Sequence, residues 1–198
     1  AFNQPFAWDT SRVTNMAETF MNADAFNSQL AWDTSRVTTM YATFSGAKAF
    51  NRPLDWDTSK VTNMVATFYN AKAFNSQLVW DTSKVTGMRS TFDGAEAFNQ
   101  PLAWDTSKVT NMGYTFHEAD AFNRQLDWDV ASATTFDRMF TSTALESDAD
   151  ASLRQLTYES FSAQNERFAA EYPSWEPTPS SPPSPPCTAE NSYCGYCP

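Results

Sequence analysis

Cysteine is missing from the first 186 residues, histidine occurs once, at position 117, and only five glycines are spread over 198 positions. Without cysteine, that long stretch cannot be a disulfide framework, so its stability has to come from packing. A nucleophile–histidine–carboxylate triad needs an imidazole held by a third group. His117 stands where sister repeats carry Ser45, Tyr69 or Asp93, so it reads as a variable solvent-side residue rather than a base. Positive charge is scarce: 13 Lys and Arg face 23 Asp and Glu, a net charge of -10. That balance argues against nucleic acid and anionic membrane surfaces, whose phosphates attract Lys and Arg. No run approaches the roughly 18 consecutive apolar residues of a membrane span. No Asn-x-Ser/Thr sequon occurs, which excludes ordinary N-glycosylation. The expectation is a protein without catalytic residues, metal ligands or cofactor.

What the chain has in abundance is repetition. Trp8, Trp32, Trp56, Trp80, Trp104 and Trp128 recur at a fixed step of 24 residues, and Phe20, Phe44, Phe68, Phe92, Phe116 and Phe140 follow the same step. Phe2, Phe26, Phe50, Phe74, Phe98 and Phe122 do so too, each followed by Asn. Self-similarity at this period is the signature of stacked repeats. A unit so short cannot bury its own apolar face, so neighbours must stack and equivalent side chains must form columns. The columns read from one copy are Phe26, Leu30, Trp32, Val37, Met40, Phe44 and Ala47, with Trp56, Trp80, Trp104 and Trp128 continuing the tryptophan row.

Within a copy, Leu30 and Trp32 point one way and Ala31 the other, a short strand ended by the turn cluster Asp33-Thr34-Ser35. Val37, Met40, Phe44 and Ala47 then fall at spacings of three, four and three, the stripe of a helix of about two turns, which Ser35 or Thr38 is placed to cap. The expected fold class is an α/β repeat solenoid of six 24-residue coils, each one short parallel strand plus one short helix.

The row Asp9, Asp33, Asp57, Asp81, Asp105 and Asp129 reads as Asx turns, each side chain accepting the amide two residues on. Paired carboxylates for glycoside chemistry or calcium ligands are the alternatives, but catalysis needs two carboxyls in different environments and a ladder offers identical ones. Asn27 and Asn51 with their equivalents read as a buried ladder bonded to the turn backbone.

The sentence F-N-x-x-L-x-W-D-T-S-x-V-T-N-M-x-x-T-F-x-x-A, cleanest in Trp56-Asp57-Thr58-Ser59-Lys60-Val61-Thr62-Asn63-Met64, resembles the bacterial surface protein 26-residue-type repeats. That family is BspA-like and leucine-rich-repeat-like. The resemblance covers about residues 2 to 145 and implies an extracellular or cell-surface location, a role in adhesion or matrix, and no catalytic residues. The sixth copy, Trp128-Asp129-Val130-Ala131-Ser132-Ala133-Thr134-Thr135-Phe136, loses the turn Thr and Ser and the column Val and Met, as a terminal, capping copy does.

Residues 1–145 are thus the six-copy array and 146–172 an acidic helical cap, with seven carboxylates against Arg154 and Arg167 over 146–176. Residues 173–198 are a Pro- and Ser-rich tail that cannot form helix or sheet and extends as polyproline II. Its Ser-Pro-Pro run is similar to those of hydroxyproline-rich glycoproteins of algal and plant walls. O-linked glycosylation is expected at Thr178, Ser180, Ser181 or Ser184, or at hydroxylated Pro182, Pro183, Pro185 and Pro186. Cys187, Cys194 and Cys197 allow one disulfide and one thiol for a partner, and Cys194-Gly195-Tyr196-Cys197 also has zinc spacing, although three sulfurs make an incomplete site. Ala1 begins inside a repeat, the appearance a removed secretory signal leaves.

Differences between copies collect at Ala17-Glu18, Tyr41-Ala42, Val65-Ala66, Arg89-Ser90 and Gly113-Tyr114, while Trp-Asp-Thr-Ser repeats through the first five copies. The regular surface, with Thr rows such as Thr34, Thr58, Thr82 and Thr38, Thr62, Thr86, suits a periodic partner or none. The first expectation is an extracellular structural protein, a matrix or filament subunit. Its copies would join head to tail through Phe2, Phe6, Trp8, Val13, Met16 and Phe20 at one end and Phe136 and Phe140 at the other. The alternative is a cell-surface adhesion module binding a repetitive glycan or protein through its sheet side, and a minor one is an ice-binding solenoid.

Overall fold

The computed structural model describes residues 3, 7–147 and 151–177. The 24-residue copies lie one upon another in register, joined by parallel bridges that run Asn15–Thr39–Asn63–Gly87–Asn111–Thr135. The backbone bonds around each bridge show why a unit with so little regular secondary structure holds its shape. Thr38 N–H donates back to the Thr14 carbonyl at 2.8 Å, whereas Met40, Ala42, Phe44 and Gly46 all donate forward, to the carbonyls of Asn63, Val65, Thr67 and Tyr69. The amides between them close turns inside the coil: Thr43 to Met40, Ser45 to Ala42, Ala47 to Phe44. From Met40 to Ala47 every second amide therefore belongs to the neighbour, and those of Thr43, Ser45 and Ala47 close tandem four-residue turns.

This arrangement corrects the strand and helix expected within each copy. Among the described residues of the array there is no helix and no strand beyond the single bridge. The stripe Val37, Met40, Phe44, Ala47 is buried as expected, but tandem turns present the same spacing, and their amides reach the next coil instead of the carbonyl four residues back. A residue of positive φ falls in every coil at Glu18, Ala42, Ala66, Ser90, Tyr114 and Arg138, and a second at Asn22, Gly46, Asn70, Gly94, Glu118 and Ser142. Either one ends a right-handed helix. Leu30 and Trp32 do alternate with exposed Ala31. Yet the segment makes no ladder: the Leu30 carbonyl accepts instead from the Trp56 indole at 3.3 Å, and the Asp57 carbonyl from the Thr34 hydroxyl at 3.0 Å.

The core is a set of ring columns. Trp32, Trp56, Trp80, Trp104 and Trp128 stack at 6.1 to 6.5 Å with planes nearly parallel. Phe44 meets Phe68 at 5.6 Å and, inside its own coil, Phe50 at 4.2 Å. Offset stacks of this kind add roughly 0.5–1.5 kcal/mol per pair beyond the area they bury. A polar column runs through the same core: Thr43, Thr67, Thr91 and Thr115 are fully buried, and each hydroxyl donates to the carbonyl of the methionine three residues back.

After the sixth coil the chain turns helical, in α1 (Ser152–Gln164) and α2 (Glu166–Glu171), followed by a 3-10 turn at Pro173–Trp175. Asn165 starts α2 by accepting the Arg167 amide. Phe161, Phe168, Tyr172 and Trp175 are buried against the last coil, with Phe168 edge-on to Phe136 at 5.3 Å and Trp175 stacked on Phe140 at 5.4 Å. Polar groups finish the junction. The Gln164 side chain accepts from the Val130 amide and donates to the Trp128 carbonyl, and Asn165 donates to the Val130 and Ala133 carbonyls at 2.8 Å each.

Candidate functional site

The two long sides of the stack differ in chemistry. On the Trp-Asp-Thr-Ser side, the carboxylates of Asp33, Asp57, Asp81 and Asp105 accept the amide two residues on at 2.9 to 3.0 Å, the Asx turns anticipated from sequence. The serine of each turn holds its Asp below the usual carboxylate range. Thr34, Thr58, Thr82 and Thr106 point inward and are buried. Only the second Thr row remains outside, and its hydroxyls are already spent on the coil before, as Thr38 on the Thr14 carbonyl at 3.1 Å. The asparagines form the expected ladder, Asn51 N–H on Asn27 Oδ1 and Asn75 N–H on Asn51 Oδ1 at 3.0 Å each, but the row is partly or fully exposed, not buried. This side is a self-satisfied lattice of turns.

The turn side is the variable one. The central residues of the turns closed by Thr43 and Ala47, and their equivalents in the other coils, form rows of which most members reach the surface, whereas Thr43 and Phe44 between them turn into the core. Those rows read Ala17, Tyr41, Val65, Arg89, Gly113, then Glu18, Ala42, Ala66, Ser90, Tyr114, then Met21, Ser45, Tyr69, Asp93, His117. Met21, Tyr41 and Tyr69 are large and 39 to 44% exposed. They border a groove of about 290 Å³ lined also by Ala42, Ser45, Val65, Ala66, Arg89 and Ser90. Two of its small lining residues, Ala42 and Ala66, have positive φ. Beyond the groove the Arg89 guanidinium lies 5.2 Å from the centre of the Tyr114 ring, and Tyr114 meets His117 edge-on at 5.3 Å.

His117 is not the solvent-side residue expected from its position. Its side chain is 17% exposed, and Nδ1 lies 2.9 Å from Oδ1 of Asp93, one coil back. Burial pushes the Asp93 carboxyl up, and the His117 hydrogen bond opposes that. The sequence did hold the signal: with a 24-residue register, any two residues 24 apart are neighbours, and the only histidine stands 24 after an aspartate.

The column residues Phe26, Leu30, Trp32, Val37, Met40 and Phe44, with Trp56, Trp80, Trp104 and Trp128, are all buried. The residues expected to join copies head to tail are not one open face. Phe136 and Phe140 are 2% and 0% exposed beneath α1, α2 and Trp175, and Met16 and Phe20 are buried too. The C-terminal face lies under the chain's own helices, so Phe136 and Phe140 are not presented to another copy. Trp8 is 58% exposed, and an apolar groove of about 330 Å³ lies beside it, lined by Phe20, Ala23 and Phe26. Phe2 and Phe6 lie outside the described residues, as do Cys187, Cys194 and Cys197 and the expected glycosylation positions Thr178, Ser180, Ser181, Pro182, Pro183, Ser184, Pro185 and Pro186. No helix among the described residues is long and apolar enough to cross a membrane.

No curated protein and no solved structure matches the chain. A family profile does, over residues 1–79 and again over 77–175, so that it spans both the coils and the helices above them. The chain belongs to the repeat family described as Mycoplasma protein of unknown function, DUF285.

Proposed function

We propose that this is a non-catalytic recognition module of the cell surface or extracellular space, which binds a glycan in the groove between Tyr41 and Tyr69. The observation that carries the reading is the coincidence of exposure with variability: the exposed tyrosines sit where coils differ, while the Trp-Asp-Thr-Ser turns repeat and spend their polar groups on themselves. Exposed aromatic and polar side chains that depart from a regular scaffold are the usual mark of binding. The groove has what a saccharide needs, flat rings for its C–H faces and the hydroxyls of Ser45 and Ser90 beside them. The resemblance of the sequence to BspA-like surface repeats, and of its tail to hydroxyproline-rich wall glycoproteins, supports a module outside the cell, with Thr178 to Pro186 glycosylated and Cys187, Cys194 and Cys197 linking it onward. Affinity electrophoresis of the whole protein against a panel of extracellular polysaccharides tests the reading. Retardation by at least one polysaccharide, abolished by Tyr69→Ala, supports it; unretarded migration through all of them overturns it.

The matrix or filament reading keeps one supporting observation, the apolar groove beside Trp8 at the first coil. A head-to-tail contact made through it meets α1 and α2 at the far end, since those helices overlie Phe136 and Phe140. The ice-binding reading loses ground, because only one Thr row is exposed and its hydroxyls are engaged along the stack.

A further inference from the structure

Asp93 is the one buried carboxylate among the described residues, at 8% exposure, and it faces the only histidine of the chain. An ionised carboxylate can only accept, so the 2.9 Å contact between Asp93 Oδ1 and His117 Nδ1 requires the proton on Nδ1. The neutral ring then carries its lone pair on Nε2, at the opposite edge. A carboxylate lies on that side: Glu118 Oε1 is 3.9 Å from Nε2, on a side chain 61% exposed. Two ligands each roughly 2.0–2.2 Å from a tetrahedral ion stand about 3.3 Å apart, so a small rotation of the exposed Glu118 chain brings the pair into register. One ligand atom from each of Asp93, His117 and Glu118 lies within 4.8 Å of the others.

We propose that His117 Nε2 and the Glu118 carboxylate bind a divalent cation of the zinc class, and that Asp93 is the positioning residue that fixes the imidazole for it. A carboxylate behind a ligating histidine, accepting its other N–H, is the recurring support of such metals because it sets tautomer and orientation together. The imidazole nitrogen selects a borderline transition ion over calcium or magnesium, which take oxygen. The site is particular to one coil. In the row of His117 the other coils carry Met21, Ser45, Tyr69, Asp93 and Thr141, and in the row of Glu118 they carry Asn22, Gly46, Asn70, Gly94 and Ser142, so no other pair of these rows offers an imidazole and a carboxylate together. Glu118 holds a left-handed φ of 54° while its amide donates to the Thr141 carbonyl. Water or a group from a bound partner completes the coordination.

Because His117 is the only histidine, its ring signals report this site alone, whatever Cys187, Cys194 and Cys197 do with the added zinc. The test is nuclear magnetic resonance of the full chain labelled with nitrogen-15, titrated with zinc chloride. Before metal the imidazole is protonated at Nδ1. Zinc moves the Nε2 signal saturably. Asp93→Asn mixes the tautomers and weakens binding about 10- to 100-fold, and Glu118→Gln weakens it at least as much while the amide spectrum shows the fold retained. A ring protonated at Nε2, an Nε2 signal unmoved at millimolar zinc, or a Glu118→Gln protein that binds as tightly as the parent overturns the proposal.

Discussion

The amide of Phe140 donates to the phenolic oxygen of Tyr172 at 3.0 Å, across 32 residues of sequence. In every earlier coil the equivalent amide goes to the next coil, as Phe116 does to the Met139 carbonyl. The sixth coil has no successor, and three of its four outgoing amides are met by side chains: Arg138 by Glu171, Phe140 by Tyr172 and Ser142 by Glu146. Solenoid-like stacks need a terminal unit that satisfies what the last repeat would give its neighbour. Here the segment that follows the sixth coil supplies both the apolar cover and these acceptors: Glu146 before α1, Glu171 at the end of α2 and Tyr172 just after it.

Tyr172→Phe keeps the ring and removes the acceptor. The Phe140 amide is then left buried without a partner, which costs about 1–3 kcal/mol. Urea unfolding followed by tryptophan fluorescence should show a lower midpoint with an unchanged slope, since the surface exposed on unfolding barely alters. The burial that makes this bond matter also pushes the Tyr172 hydroxyl well above its ordinary range, so it stays neutral and the loss is the same from neutral to mildly alkaline pH.

Trp80→Ala and Phe68→Ala open a hole in a column with rings above and below. Each should cost about 3–5 kcal/mol, a large part of a domain's usual margin. Differential scanning calorimetry should show cooperative melting moved down in both.

Ala66→Gly should stabilise the protein by up to about 1 kcal/mol, because Ala66 holds a φ of 56° that an L side chain resists and glycine does not. Gly94→Ala should do the reverse. Gly94 also has positive φ, and an added Cβ would run into the Asn70 side chain one coil back. Paired thermal melts of the two variants check the sign directly.

These backbone positions mark the limit of what could be read from sequence. The columns were legible because a 24-residue period repeats Trp32, Phe44 and Phe50 without exception, and side chains that large must be buried somewhere. The turns were not, because Val37, Met40, Phe44 and Ala47 carry a spacing that a short helix and a series of tandem turns share. Only the destination of the Ala42 and Phe44 amides separates the two. The buried Thr43 row was hidden for another reason: a threonine reads as surface until the methionine carbonyl that satisfies it is known. The groove rested on residues already seen to vary, yet its side of the stack followed from the turn geometry. The Asp93–His117 pair needed only the register.

Acid should weaken the stack. The carboxyls of Asp33, Asp57, Asp81 and Asp105 are held below their ordinary value by the serine two residues on. A group whose folded pKa is depressed adds stability above its unfolded pKa, about 3.9 for Asp, and loses it as pH falls through the folded value. Chemical denaturation between pH 7 and pH 2 should therefore show stability level at the upper end and falling below about pH 4. Asp57→Asn combined with Asp81→Asn should flatten that fall, since the amide oxygen still accepts the turn N–H and does not titrate.

The account's central claim is that the variable turn side recognises a partner and the regular side is scaffold. The most direct measurement compares two double variants for binding to the polysaccharide that retards the parent protein: Tyr41→Ala with Tyr69→Ala on the groove, and Thr62→Ala with Thr86→Ala on the exposed threonine row. The account predicts that the tyrosine pair loses binding by at least about 10-fold, the effect of removing roughly 1.4 kcal/mol, while the threonine pair binds as the parent does. Loss of binding in the threonine pair with the tyrosine pair unaffected would contradict it.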